Sequence, residues 1–200
     1  MIRSLLVFLA KALSGAGGRW LGCAPDTKQR IYFANHSSHL DALTLWSILP
    51  PEVRVLTRPV AARDYWIRGA VRRYLALEVF QAILIDRNDV RPHQNPVDQI
   101  LEAMGTRGSV ILFPEGGRSS GPEPMPFKGG LYHLAQRRPE IELVPVLMQN
   151  LNRILPKGEI LPVPLLGHVT FGPPLSLQAG ETKPDFLERA RHEIIRLGNT

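Results

Sequence analysis

The sequence predicts a single α/β domain with a mixed, mostly parallel central sheet flanked by helices. Three observations carry this. Short apolar runs recur along the chain, stretches of helical periodicity lie between them, and 200 residues, 44% of them apolar, suffice for one core, because a chain of this size buries roughly 70% of its unfolded surface. Strands that alternate with helices favour parallel pairing, since a parallel neighbour needs a crossover. Functional side chains of such sheets gather in the loops that leave strand C-termini.

The elements follow in order. Residues 1–22 contain an apolar run, Leu5 to Ala10, that Lys11 interrupts. It is shorter than the roughly 20 residues a bilayer span needs and short for a signal peptide. A helix lying on a membrane and a helix packed on the domain both fit. RIYFA (30–34) reads as a buried strand and Asp41 to Leu49 as a helix. VRVLT (53–57) reads as a strand, Tyr65 to Leu77 as a helix, and VFQAILI (79–85) as a strand. Asn95 caps the next helix, with Pro96 in its first turn and Ile100, Leu101 and Met104 along one side. SVILF (109–113) and IELVPVLM (141–148) are strands separated by a helix near Leu131 to Arg137. The proline-rich stretches SSGPEPMPFKGG and LPKGEILPVPLLG read as exposed loops or edges. Asp185 to Leu197 closes the chain as a helix with Phe186, Ala190, Ile194 and Leu197 on one stripe. No repeat or linker divides residues 1–200.

The formal net charge of +6 attracts phosphate-bearing partners: nucleic acid, anionic lipid and phosphorylated metabolites alike. A single cysteine, Cys23, excludes an internal disulfide and fits a reducing compartment.

The chemistry concentrates in ANHSSHLDAL, residues 34–43. On a continuous helix His36 and Asp41 would point about 140° apart. If His36 lies in the loop leaving the 30–34 strand and Asp41 in the first turn of the next helix, the two meet. Asp41 then holds one imidazole nitrogen and leaves the other as a base. Two further readings fit the same spacing: a capping box of Ser38 and Asp41, and a metal site of His36, His39 and Asp41 that lacks a fourth ligand. At 111–121, ILFPEGGRSSG, a strand ends at Phe113 and Pro114. A glycine turn follows whose backbone can approach a ligand closely, and Arg118 offers a planar fork for phosphate. AILIDR, residues 82–87, delivers Asp86 and Arg87 from another strand end.

Together NHSSHLD, ILIDR, FPEGGRS and the VPV at 144–146 resemble, in order, the four sequence blocks of the glycerophospholipid acyltransferases. That family includes the glycerol-3-phosphate and 1-acylglycerol-3-phosphate acyltransferases. The resemblance covers about residues 30–150 and implies a glycerol-3-phosphate acyltransferase-like fold. It implies transfer of a fatty acyl group from acyl-CoA or acyl carrier protein to a lysophospholipid hydroxyl, with 1-acylglycerol-3-phosphate giving phosphatidic acid. His36 and Asp41 would be the catalytic general-base pair, and Arg87 and Arg118 would hold the acceptor phosphate. Glu115 and Gly116 would position the glycerol, Asn35 would support the loop at the binding site, and Lys128 would meet a phosphate. No metal and no cofactor beyond the thioester co-substrate is expected, nor nucleic acid. The expected location is cytoplasmic, peripheral on the inner face of the membrane. Gly117 stands where the family has Thr or Ser, Gln81 where it has a leading glycine, and Leu84 where it has an aromatic, all within acceptor-binding elements.

Residues 63–75, RDYWIRGAVRRYL, would on a helix set Trp66, Ile67, Ala70, Val71, Tyr74 and Leu75 on about half the circumference, with Arg68 and Arg72 opposite. A membrane face and a core stripe both fit. Two rival functions also fit: a thioesterase or lipid hydrolase that uses the same dyad on water, and a non-catalytic basic module binding membranes or nucleic acid.

Overall fold

A computed structural model describes residues 2–38, 40–86, 95–119, 121, 123–150 and 167–199. Seven strands form one sheet in the order β1-β7-β6-β2-β5-β3-β4. They are β1 (Gly17–Trp20), β2 (Arg30–Ala34), β3 (Thr57–Ala62), β4 (Ile83–Ile85), β5 (Ser109–Leu112), β6 (Glu142–Gln149) and β7 (His168–Phe171). From β6 to β4 every pairing is parallel. The edge strand β1 is parallel to its neighbour β7, and β7 pairs antiparallel with β6. The sheet is thus mixed and mostly parallel, as expected.

Every residue of β2 is buried, and alternate side chains feed opposite cores, as the two-residue strand period requires. Ile31 and Phe33 join Val110, Leu143 and three helices: α6 (Pro96–Met104), α7 (Gly130–Arg137) and the C-terminal α8 (Lys183–Arg196). Tyr32 and Ala34 join Ile111, Val144 and Val146 beneath α2 (Asp41–Ile48), while Leu6 and Val7 of α1 (Ile2–Ser14) pack on the same core. Each large side chain so buried contributes roughly 1.5–3 kcal/mol relative to exposure.

Several local expectations hold. The Asn95 side chain accepts the Val97 N–H at 3.0 Å, with Pro96 next to it in the first turn. In α8 Phe186, Ala190 and Ile194 are buried and Leu197 lies just beyond, also buried.

Others are corrected. The stretch 53–57 is not a strand: Pro51 starts a short helix, α3 (Pro51–Arg54), and the strand begins at Thr57. β3 contains Pro59, which a paired strand interior seldom tolerates. It sits where the partner changes: residues 57–59 pair with β5 and residues 60–62 with β4. The expected strand 79–85 shrinks to 83–85, because Val79 closes a π-helical turn, Leu75–Val79, and Gln81 turns the chain at φ 50°. The single helix expected over 63–75, continuing to Leu77, is instead α4 (Arg63–Trp66), α5 (Ala70–Tyr74) and that π turn. Gly69, at φ 91°, breaks it. Strands β1 and β7 were not foreseen, being only four residues each.

Candidate active site

Because β2, β3, β4 and β5 run the same way, the loops leaving them open on one edge of the sheet. The β2 loop carries His36 and α2 begins at Asp41. The imidazole Nδ1 lies 2.8 Å from Asp41 Oδ2. That oxygen also accepts the backbone N–H groups of Ser37 at 2.7 Å and Ser38 at 2.8 Å. Asp41 is fully buried, whereas the His36 side chain is 23% exposed. The imidazole–carboxylate contact thus forms with only half of the capping box: the carboxylate takes the Ser38 N–H, whereas the Ser38 hydroxyl accepts from Leu40 at 3.3 Å and not from Asp41. No residue side chain caps α2 at Leu40. The other oxygen, Oδ1, is buried with no partner among the described residues.

Asn35 spends its amide on the sheet. Its Nδ2 donates to the Met148 carbonyl at 2.9 Å, and its Oδ1 accepts the Met148 N–H at 2.7 Å. The side chain thus extends the β2–β6 ladder by one rung and anchors the loop that bears His36, consistent with a supporting part and not a ligand contact.

Glu115 does a related job at the other loop. It is buried, with Oε1 accepting the His36 N–H at 2.7 Å and Oε2 accepting the Met125 N–H at 2.8 Å. Burial raises its carboxyl above the usual range, opposed by these two amides. A second tie, Ser119 N–H to the His36 carbonyl at 2.7 Å, closes the loops on each other. Phe113 stacks on the imidazole with ring centroids 4.3 Å apart. The sequence showed Phe113 only as a strand end, and its ring contact depends on a loop 77 positions away.

A cleft of ≈ 270 Å³ runs from His36 past Gly116, Gly117 and Arg118 to an apolar end bounded by Trp66, Ala76 and Phe80. His36 and Arg118 therefore share a pocket, while Glu115 is not among its lining residues. Gly116 has φ +67°, and a Cβ there would lie 2.8 Å from Lys128 Nζ, so the lysine stem crosses this glycine. Gly117 would meet only Met125 Cε, at 3.8 Å. Just past the end of β4, Asp86 accepts from Arg63 at 3.1 Å. Arg87, the other expected phosphate ligand, and His39, the third candidate metal ligand, lie outside the described residues. Among the described residues no group of three metal-ligating side chains forms, and no helix is long and apolar enough to cross a membrane.

This arrangement joins a carboxylate-oriented imidazole, a guanidinium and an apolar cavity, which suits proton removal beside an anion and a hydrocarbon chain. Comparisons with known proteins bear on the family and the fold. A sequence model of the family described as acyltransferase matches residues 23–149. The mouse 1-acyl-sn-glycerol-3-phosphate acyltransferase alpha is 27% identical over 202 residues, covering 98% of this chain and 68% of that protein. The 1-acyl-sn-glycerol-3-phosphate acyltransferase of Escherichia coli (strain K12) is 32% identical over 137 residues, covering 62% of this chain and 51% of that protein. The chain thus spans from about half to two thirds of these relatives' length. A crystal structure of the 1-acyl-sn-glycerophosphate (LPA) acyltransferase from Thermotoga maritima superposes with a TM-score of 0.74 at 16% identity, covering 99% of this chain and 79% of that one, which shows a shared fold.

Proposed function

The chain belongs to the acyltransferase family, and on that premise we propose that it transfers a fatty acyl group from a thioester, acyl-CoA or acyl carrier protein, to the free hydroxyl of 1-acylglycerol-3-phosphate. The observation that carries this reading is the placement of His36, held through Nδ1 by buried Asp41, in one cleft with Arg118 and an apolar end. An alcohol is a weak nucleophile at neutral pH. The imidazole's second nitrogen, Nε2, takes its proton as the oxygen attacks the thioester carbon. The thiolate then leaves as the thiol by recovering that proton. Such general-base help contributes about 10² to 10⁴ in rate, and alignment of the two substrates supplies much of the rest. No covalent acyl-enzyme is needed.

Arg118, together with Arg87 and the ammonium of Lys128 across Gly116, holds the acceptor phosphate. The apolar end of the cleft takes an acyl chain. Asn35 and Glu115 act one step back, by fixing the loop that bears the base. Glycerol positioning falls to the backbone of Gly116 and Gly117. Because the acceptor resides in a bilayer, the protein works peripherally at the inner membrane face.

The test is an acceptor panel with labelled acyl-CoA and acyl carrier protein donors, run beside His36→Ala. Product that requires 1-acylglycerol-3-phosphate and vanishes in the variant is the expected result. Free fatty acid released at the same rate without acceptor would mark a hydrolase, and salt-dependent binding without turnover would mark a binding module.

A further inference from the structure

We propose that the outer side of the cleft wall, residues 67–77, is the surface on which this protein seats on an anionic phospholipid bilayer. The inference rests on the acyl-transfer reading of the cleft and names the partner of that same wall.

Residues 67–74 are all exposed. Among them and just beyond, Ile67, Val71, Tyr74 and Leu77 leave 47%, 74%, 45% and 39% of their surface in water. Gly69 makes this possible. At φ 91° it separates α4 from α5, and α5 has no buried residue. Arg68, Arg72 and Arg73 are interleaved with the apolar side chains and are exposed too. The inner side of the same wall is cleft: Tyr65, Trp66 and Ala76 line it, and the Arg72 guanidinium lies 4.6 Å over the Tyr65 ring.

The exposed apolar side chains are also one-sided. Among the described residues the large ones are these four with Leu5, Phe8, Leu9 and Val55. All sit on α1, just past the end of α3 or on the 67–77 segment, elements that pack on the core of Tyr32 and Ala34. None sits on α6, α7 or α8, which cover the opposite face.

The chemistry selects lipid over a protein partner. Three arginines and no carboxylate alternate with apolar and aromatic side chains between residues 67 and 77, an unbalanced positive charge that a plane of anionic headgroups complements. That mixture suits a boundary with hydrocarbon on one side and a plane of phosphates on the other, where aromatic rings and basic residues settle at headgroup depth. With the wall's outer side in lipid and its inner side in the cleft, an acyl chain passes from bilayer to cleft without crossing bulk water.

The experiment is flotation of the full chain with vesicles of phosphatidylcholine alone and of phosphatidylcholine mixed with phosphatidylglycerol. The variants are Val71→Asp/Tyr74→Asp, Arg68→Ala/Arg72→Ala/Arg73→Ala, and Phe8→Asp on α1. The wild type is expected to float with the anionic vesicles and to be released by salt. Both 67–77 variants should bind about tenfold more weakly or worse, with unchanged thermal unfolding. Phe8→Asp should retain at least half of the binding. Flotation of both 67–77 variants like the wild type overturns the proposal. So does loss of binding in Phe8→Asp alone, or light scattering that shows a wild-type dimer split by Val71→Asp/Tyr74→Asp. Flotation is read without turnover, so a wild type that floats but transfers no acyl group would defeat the catalytic reading and leave the docking surface standing.

Discussion

Glu115 Oε1 accepts the backbone N–H of His36 at 2.7 Å, which puts this buried carboxylate behind the loop that bears His36 instead of in the cleft. Its partner oxygen holds Met125 at 2.8 Å. One side chain thus joins the loops after β2 and β5 and sets how far the imidazole stands from the glycine turn.

Glu115→Gln keeps one acceptor and turns the other into a donor that faces an N–H. An unsatisfied buried amide costs roughly 1–3 kcal/mol. Differential scanning calorimetry should show that loss, and activity should fall mainly in kcat. The folded carboxyl titrates above its ordinary value near 4.5. Between that value and the raised one the native state binds the extra proton, so this group's stabilisation is complete below about 4.5 and is lost as pH rises through the folded pKa. The stability gap between wild type and Glu115→Gln should therefore narrow as pH increases from 4 upward.

Asp41→Asn and His36→Ala should separate fold from chemistry. Asp41 Oδ2 accepts two backbone amides besides the imidazole. Asp41→Asn should therefore cost about 1–3 kcal/mol of stability as well as turnover. His36→Ala should lower kcat by about 10² or more while the stability change stays within roughly 1 kcal/mol. Denaturant unfolding beside acyl-transfer assays checks both, and an active His36→Ala would defeat the mechanism.

Two backbone positions should respond in opposite senses. Gln81 holds φ 50° without being glycine, a conformation that costs of order 1–3 kcal/mol. Gln81→Gly should raise stability by about 0.5–1 kcal/mol, since part of the relief is offset by a more flexible unfolded chain. At Gly116 the added methyl of Gly116→Ala would meet both φ +67° and the Lys128 stem. It should destabilise by roughly 1–3 kcal/mol and raise KM for the acceptor.

Ala76 is 1% exposed and lines the apolar end of the cleft. Ala76→Phe should fill that end and move the preferred donor toward shorter acyl chains, with a packing penalty of about 1–3 kcal/mol. A donor series of increasing chain length measures the shift; an unchanged preference would remove the acyl chain from this end of the cleft.

What the sequence by itself determined is local. A continuous apolar run marks β2 as buried, Asn95 and Pro96 start α6, and three apolar positions of α8 face inward, because each signal spans only a few residues of backbone geometry. The identities of His36, Asp41 and Arg118, and their places at strand ends, were legible in the same way. The tertiary structure alone decided the rest. Glu115 meets His36 across 79 positions and Asn35 meets Met148 across 113, so their roles as braces depend on which strands lie side by side. The 63–75 stripe is amphipathic on an ideal helix, yet Gly69 breaks that helix. Whether such a stripe turns inward or outward depends on what packs beside it. Burial and hydrogen-bond partners are properties of the assembled sheet, and no window of the chain contains them.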